Sequence, residues 1–449
     1  MHSDGDRSMQ EVPEKLELVS DKTIVHDHLT LENAIDGDDE TRAPISEDEI
    51  QYPEGGWTAW SQVVAGNMLN MLAWGLPASF GVYQLYYTEQ TRLSSSQASW
   101  IGSAQVFLTL ALGTVSGRLA DAGYSRHAVL TGCLVIVSGT LLTSFCTRYW
   151  QILMAQGVYI GLGLGMAYMP SIAVIGCYFK RRRSLALAIS TTGGGFGSLI
   201  FPSVLQYLIP RVGFPWAVRY SALVALVMAL VANLLLKPRG FPAKRGPIVD
   251  FGTFKEVPYL YFTIGVCLYF MALYFSFFHI NAFARQVIGF SAAEAVSLLL
   301  ITNAAGIPLR PIVGHIADRH LGPINTFIVA IFVLACMDFA WVCVKTKAGM
   351  YVFSVFLGMA NGAAQGIVLG ALASLTADPR KMGVRFGMVA TLSGVATLAG
   401  PPMAGAIIDS TGGRYLWAQI WAGAVLLASS FIIAASRVSK SGKRIRAIL

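Results

Sequence analysis

The sequence predicts an all-α membrane protein with twelve transmembrane helices, arranged as two parallel six-helix repeats. Its 449 residues are 54% hydrophobic and 13% charged, whereas soluble domains carry about a quarter charged residues. Apolar runs of roughly 20 residues recur from Trp57 to the C-terminus, and each is long enough to cross a hydrocarbon core of about 30 Å. In addition, short motifs of the first half of the chain recur in the second.

The N-terminal segment differs in composition from everything that follows it. Residues 1–56 hold 16 Asp and Glu against 4 Lys and Arg, whereas the remainder holds 9 against 29. Because the segment has few large apolar residues, we expect a disordered acidic tail. The basic remainder does not predict a nucleic-acid partner, since no soluble basic surface is interleaved with aromatic residues. We assign its charge to the loops of a membrane protein.

Hydropathy divides the chain into two halves joined by a cationic linker. We expect residues 57–236 and 257–436 to form six helices each, residues 237–256 to be a cytosolic linker, and residues 437–449 to be a basic cytosolic tail. The lipid bilayer is therefore an expected partner. The predicted spans are 59–86, 98–117, 127–146, 150–175, 184–208, 215–236, 257–282, 291–315, 323–343, 349–372, 383–407 and 414–436.

The distribution of Lys and Arg predicts the orientation. The even-numbered loops with their flanking span ends, together with the C-terminal tail, hold 20 Lys and Arg, against 8 on the other side. Positively charged loops stay in the cytosol. Both termini are therefore expected to be cytosolic, in a multi-pass protein of the plasma membrane.

Two motifs recur at nearly the same offset. Gly117–Asp121 ends helix 2 and Gly314–Asp318 ends helix 8, 197 residues later, while Thr192 and Gly195 of helix 5 recur as Thr391 and Gly394 of helix 11, 199 residues later. Such duplication indicates two parallel six-helix repeats, an architecture of secondary transporters with a binding site between the halves.

These residues resemble the major facilitator superfamily, and within it the monocarboxylate-porter-like group that is abundant in fungi. Glu54–Trp60 is similar to the acidic-Gly-Gly-Trp signature before helix 1, and Tyr178–Ala186 to a second signature that leads into helix 5. The resemblance also includes Arg310-Pro311 in helix 8 and both G-x-x-x-D loops. The resemblance covers the chain after residue 53 and implies a carrier that works by alternating access.

The sequence departs from the best-studied proton-coupled members of that group at two positions. Those members carry a lysine where Ala78 stands and an aspartate where Gly306 stands, one turn before Arg310. An aspartate at that spacing would pair with the arginine and could pass a proton. We therefore expect only weak coupling to a proton gradient.

Asp121 and Asp318 are predicted to form a breakable latch on the cytosolic side, with Arg126 and Arg319 as nearby cationic partners. A carboxylate in these turns can accept backbone or cationic donors only while the two halves are closed there. A plain solvated turn is the alternative.

Four glycines in helix 5 leave one face without side chains, so a neighbouring helix can pack closely or slide there. They are Gly193, Gly194, Gly195 and Gly197.

Charges inside the spans are rare, and Arg310 is the most informative one. It precedes Asp318 by eight residues, so it lies roughly 12 Å along the helix from the cytosolic turn. Pro308 and Pro311 bracket it and predict a locally broken helix. We interpret Arg310 as the main contact for an anionic or polar substrate, with an arginine that snorkels to the cytosol as the alternative. For Asp338 a structural hydrogen bond is favoured over proton coupling.

Neutral polar residues and aromatic rings complete the predicted cavity and suit a larger organic molecule better than a small carboxylate. Each of them could also bridge helices. The candidates are Asn67, Asn70, Tyr168, Tyr274, His279, Asn281, Asn303 and Gln365.

The predicted function is secondary active transport of a small organic metabolite. Export of a fungal secondary metabolite is favoured over uptake of a monocarboxylate or vitamin-like compound, and a transporter-like receptor is a remote alternative. We expect no enzyme, because no convergent catalytic set occurs, and no ATP-driven pump, because the P-loop sequence is missing. No cofactor and no metal are expected, and the chain is predicted to function as a monomer.

Overall fold

A computed structural model describes residues 52–91, 93, 95–239, 249–376, 378 and 381–441, and within these ranges the chain is helical with no strand. Residues 52–449 belong to one compact unit. The prediction of a disordered tail concerns residues 1–56, of which 1–51 lie outside the described residues. Glu54, Gly55 and Gly56 lead directly into the first helix.

The described residues form twelve long helices, which we label α1–α12. The first six are α1 (Gly56–Ala78, continued by Phe80–Glu89), α2 (Ser95–Ala111, continued by Gly113–Asp121), α3 (Ser125–Thr143), α4 (Tyr149–Ile152, a π-helical stretch Leu153–Tyr159 and Ile160–Gly176), α5 (Arg183–Val212) and α6 (Phe214–Leu235).

The other six follow a short 3₁₀ helix, Phe251–Lys255, in the predicted linker. They are α7 (Val257–Phe283, with a π turn Ala284–Ile288), α8 (Ala292–Ile316, with a π turn Ala317–Leu321), α9 (Pro323–Ala340, with a 3₁₀ turn Trp341–Cys343), α10 (Lys347–Leu375), α11 (Met382–Ser410) and α12 (Leu416–Ser441). We call α1–α6 the N-half and α7–α12 the C-half.

Ten of the described helices are long and apolar enough to cross a membrane by length and composition; α1 and α7 fall outside this set. In α1, polar residues lower the hydropathy, but other helices satisfy them. The Gln62 amide nitrogen donates to the carbonyl of Leu235 in α6, and the Asn67 amide donates to the carbonyl of Ile189 in α5. Polar groups paired in this way are tolerated in a helix bundle within lipid.

The packing follows an approximate two-fold symmetry, which confirms the two-repeat architecture. In the N-half α1 packs on α5 and α6, and α4 packs on α2 and α3. In the C-half α7 packs on α11 and α12, and α10 packs on α8 and α9. The halves meet most extensively through two equivalent pairs, α2 with α11 and α5 with α8, and α5 also packs on α10.

The bundle exposes apolar side chains on its peripheral helices, as a lipid-facing surface requires. Leu134 of α3, Leu230 of α6, Val329 of α9 and Phe431 of α12 are examples. The ends of α2, α4, α8, α10 and α12 lie at the same end of the bundle as the start of α1, and we call this end the terminal side.

Candidate functional site

A cavity of about 350 Å³ lies between the two halves. Helices α1, α2, α4 and α5 of the N-half and α7, α8 and α10 of the C-half line it. Arg310, Thr191 and Gln365 lie at its deep end, whereas Gln84 and Asn281 lie toward the side opposite the terminal side. The cavity therefore extends from the middle of the bundle away from the terminal side.

Arg310 lies in this cavity and is only 6% exposed. Its Nη1 donates to the carbonyl oxygen of Thr191 in the opposite half. Its Nη2 donates to Oε1 of Gln365 at 2.7 Å, and Nε has no hydrogen-bond partner among the described residues. Its hydrogen-bond partners among the described residues are all neutral oxygens, so within this part of the chain the guanidinium charge is solvated but not neutralised. This geometry differs from an arginine that snorkels to the surface.

The helix around Arg310 is continuous, so the expectation of a locally broken helix was wrong. α8 runs from Ala292 to Ile316 through both Pro308 and Pro311. Gly306 has a packing reason to be glycine, because a Cβ there would lie 2.8 Å from the carbonyl oxygen of Gly358 in α10. An aspartate would not fit at this position without separating α8 from α10.

The structure places five further predicted residues around the cavity and two elsewhere. The five are Asn70, Tyr168, Asn281, Asn303 and Gln365.

Asn67 instead bridges α1 to α5, since its amide donates to Ile189 O at 2.9 Å and to Thr192 Oγ1 at 2.8 Å. His279 stacks on Phe275, with ring centroids 5.1 Å apart, and its Nδ1 is 3.2 Å from the Phe275 carbonyl oxygen. The side chain of Tyr274 lies outside the described ones.

Sequence reasoning missed most of the aromatic wall and an adjoining lobe. Trp74, Phe80, Tyr269 and Phe270 line the cavity, and Trp74 meets Tyr168 edge to face at 5.6 Å. A second lobe of about 410 Å³ shares Pro77, Phe80, Gln84 and Val106 with the first and continues between α2 and α11. None of the described residues that line this second lobe is charged.

The two predicted latch carboxylates bind backbone N–H groups of the opposite half. Asp121, at the end of α2, accepts from Gly383 N at 2.8 Å and Val384 N at 2.7 Å in α11. Asp318, after α8, accepts from the N–H groups of residues 184 and 185 in α5 at 3.1 and 2.8 Å. Both carboxylates therefore cap a helix N-terminus across the boundary between the halves.

The cations named with the latch are not part of these contacts. Arg126 and Arg319 are exposed, and neither donates to Asp121 or Asp318 within the part of the chain that the structure describes. Backbone amides at a helix N-terminus already provide positive partial charge. The carboxylates thus have partners that do not depend on the nearby arginines.

Glycines bring helix backbones into contact at the boundaries of the site. A Cβ on Gly193 would lie 2.0 Å from the Asn67 carbonyl oxygen, so α5 packs directly on α1. Gly194 faces Trp74 and Arg310, Gly195 faces α8 at Ile307, and Gly197 again meets α1. Between the halves, a Cβ on Gly383 would lie 2.2 Å from the carbonyl oxygen of Gly117.

Asp338 lies away from the cavity, in the interior of the C-half. It is fully buried, and its Oδ1 accepts from Ser276 Oγ of α7 at 2.8 Å. This contact is the structural hydrogen bond favoured from the sequence. Proton coupling by Asp338 stays an alternative prediction.

Twelve helices in two repeats, with a cavity and reciprocal helix caps between the halves, define a two-half membrane carrier. The chain belongs to the Major Facilitator Superfamily, whose sequence model matches residues 63–384. It is therefore a transporter, and the enzyme alternative is excluded. The monocarboxylate-porter-like subgroup stays a prediction.

Similar proteins include curated fungal transporters. An MFS-type transporter of Gibberella zeae is 37% identical over 400 residues, which cover 88% of this chain and 90% of the relative. The aspyridones efflux protein apdF of Emericella nidulans is 32% identical over 406 residues, 90% of this chain and 82% of the relative. Among solved structures, the human organic anion transporter MFSD10 matches 84% of this chain and 99% of its own with a TM-score of 0.68 at 14% identity, a likeness of fold.

Proposed function

We propose that the chain exports an amphipathic organic anion from the cytosol across the plasma membrane, as a monomer whose terminal side faces the cytosol. The observation that carries the proposal is Arg310, a cation in the central cavity. Its hydrogen-bond partners among the described residues, Thr191 O and Gln365 Oε1, are both neutral. An uncompensated guanidinium within a membrane protein attracts an anionic group that can accept two parallel hydrogen bonds.

The two lobes of the cavity support an amphipathic substrate rather than a small acid. The lobe that contains Arg310 also contains the rings of Trp74 and Tyr168. The second lobe adds Phe107, Leu398 and a pair of prolines without any charge. An acidic head can bind at Arg310 while an apolar body fills the second lobe. The similarity to an efflux protein for aspyridones supports export as the direction.

The reciprocal caps support alternating access. While Asp121 and Asp318 cap α11 and α5, the terminal side is held closed and the cavity extends toward the other side. We assign Asp121 and Asp318 to the latch. Breaking the four hydrogen bonds and separating the halves would expose the same Arg310 to the terminal side.

Counterflow in proteoliposomes tests the proposal without knowledge of the coupling ion. The vesicles are loaded with unlabelled 6-phenylhexanoate, and entry of the radiolabelled compound is followed, with its neutral amide as the matched probe. We expect exchange of the acid well above that in protein-free vesicles, and no exchange of the amide beyond its passive entry into protein-free vesicles. Equal exchange of both would contradict an anionic substrate, and exchange of neither would contradict transport of amphipathic acids.

A further inference from the structure

A glutamate in front of α1 holds the segment that the Asp318 cap also binds. Glu54 Oε1 accepts from Lys180 N and Arg181 N, both at 2.7 Å, in the turn before α5. The Glu54 N–H donates to the Tyr178 carbonyl oxygen at 3.1 Å. The segment before and at the start of α5 is thus bound by one carboxylate of its own half and by one of the other half.

The backbone at Glu54 is itself unusual. Among the described residues it is the only non-glycine residue with positive φ, at 54°, and Gly56 follows with φ of 77°. A left-handed conformation is unfavourable for a residue with a Cβ, so surrounding contacts must maintain it. The three hydrogen bonds to the turn before α5 supply such contacts, so the Glu54-Gly55-Gly56 sequence fits a specific docking geometry.

The C-half contains an equivalent arrangement built from side chains. Glu256, directly before α7, pairs with Arg385 in the first turn of α11. Arg385 Nη1 also donates to the Leu375 carbonyl oxygen at the end of α10, at 2.9 Å. Lys381, which precedes α11, pairs with Asp250 at 3.2 Å. These contacts flank the N–H groups that Asp121 caps.

We infer that Glu54 and Glu256 are positioning residues that hold the N-termini of α5 and α11 ready for the carboxylates of the opposite half. We call the contacts of Glu54 with the turn before α5, and of Glu256 with Arg385, the two clasps. A fixed helix end loses less conformational entropy when the cap binds, so each clasp favours closure of the terminal side. The inference rests on the proposed latch function of Asp121 and Asp318.

Spin-label distances measure the closing equilibrium. Exposed His127 in the N-half and His320 in the C-half are changed to labelled cysteines in the full chain with its native cysteines replaced, in lipid nanodiscs. We expect Glu54→Ala to lower the ratio of closed to open molecules about 3- to 10-fold, the size of a lost cap. Glu54→Gln retains an accepting oxygen at the same reach but loses the charge, so its ratio should fall between those of the parent and the alanine variant. Glu54→Asp is too short and should behave like the alanine variant.

Double variants separate positioning from a general loss of stability. In the Asp318→Asn background, Glu54→Ala should change the ratio by less than about 2-fold, because the contact that it prepares is already weakened. In the Asp121→Asn background, the same substitution should keep its full effect. Glu256→Ala should show the reverse dependence: its effect on the ratio should be lost in the Asp121→Asn background and kept in the Asp318→Asn background.

The outcomes distinguish failure of the clasps from failure of the latch. If neither aspartate variant changes the ratio of closed to open molecules, the latch is wrong. If the aspartate variants change it but Glu54→Ala acts equally in both aspartate backgrounds, or not at all in the parent, the latch stands and the positioning role is overturned. Glu54→Gln keeps the test valid if Glu54→Ala misfolds. A folded glutamine variant with the same ratio of closed to open molecules as the alanine variant would also contradict the inference.

Discussion

Asp121 and Asp318 cap the same two positions of two different helices. α5 begins at Arg183 and α11 begins at Met382, so each carboxylate binds the second and third N–H groups of its helix. These N–H groups have no acceptor within their own helix. Because water can replace the carboxylates when the halves separate, we expect the caps to close the terminal side reversibly.

Neutralising either cap should shift the carrier away from closure on the terminal side. Asparagine keeps one accepting oxygen but loses the charge, and charge-assisted hydrogen bonds are about twice as strong as neutral ones. We expect Asp121→Asn and Asp318→Asn each to lower the ratio of closed to open molecules about 5- to 10-fold. Spin-label distances report the ratio, and counterflow reports the slower exchange.

The comparison requires that the variants and the parent chain are folded and present in the membrane in equal amounts. Both variants should reach the membrane like the parent chain, because the described contacts of each carboxylate lie between the halves. Parent-like distances and parent-like exchange in both variants would mean that Asp121 and Asp318 are ordinary turn residues.

A single methyl group added at the contact between α2 and α11 should also shift the carrier away from closure on the terminal side, because it would clash sterically. In Gly383→Ala the new Cβ would lie 2.2 Å from Gly117 O and 2.6 Å from Asp121 Oδ1, so the closed contact cannot form unchanged. Gly405→Ala is a matched control in the same helix, with open space around the Cβ. We expect an open terminal side only for Gly383→Ala. Equal spin-label distances in the two variants would contradict a role of the α2–α11 contact in closing the terminal side.

The repeats and the two capping carboxylates could be predicted from the sequence. The groups that donate hydrogen bonds to these carboxylates could not. Asp121 and Asp318 are recognisable because one motif occurs twice. The donors to Asp121, however, are backbone N–H groups 262 and 263 residues away, and no side chain marks them. The nearby Arg126 therefore looked like a partner from sequence distance alone.

The rotation of each helix about its axis explains the other differences between the predicted and the observed cavity-lining residues. Arg310 could be predicted because a charge inside a span must face a polar interior. Asn67 and His279 lie in helices that are apolar on most sides, so periodicity does not decide which face meets the cavity. The second lobe arises where α2 approaches α11, and this contact between distant segments is not readable from either helix.

Topology can be tested with single cysteines and a membrane-impermeant maleimide on intact cells. The parent must lack native cysteines, because exposed Cys343 would react. Arg126→Cys and Arg319→Cys should be labelled only after the membrane is opened. Lys345→Cys, in the exposed turn between α9 and α10, should be labelled in intact cells. The reverse pattern would place the terminal side outside and contradict export from the cytosol as proposed.

Arg310 provides the most direct test of the substrate contact. Arg310→Lys keeps the charge but loses the planar pair of donors, and we expect its affinity for 6-phenylhexanoate to fall about 10-fold. Arg310→Gln removes the charge as well, and the loss of a charge-assisted contact predicts a decrease of about 10- to 100-fold. Exchange of the neutral amide should change little in either variant, since the amide does not depend on the guanidinium charge.

The matched control is another arginine inside a helix. Arg219 of α6 lies over the rings of Phe145 and Trp216, away from the residues that line the cavity. Arg219→Gln should leave the affinity for the acid unchanged at equal protein amount. If Arg310→Gln also retained the parent affinity, the guanidinium would serve only to join Thr191 of α5 to Gln365 of α10. In that case the change would appear in the closing equilibrium instead, because these contacts link the N-half to the C-half.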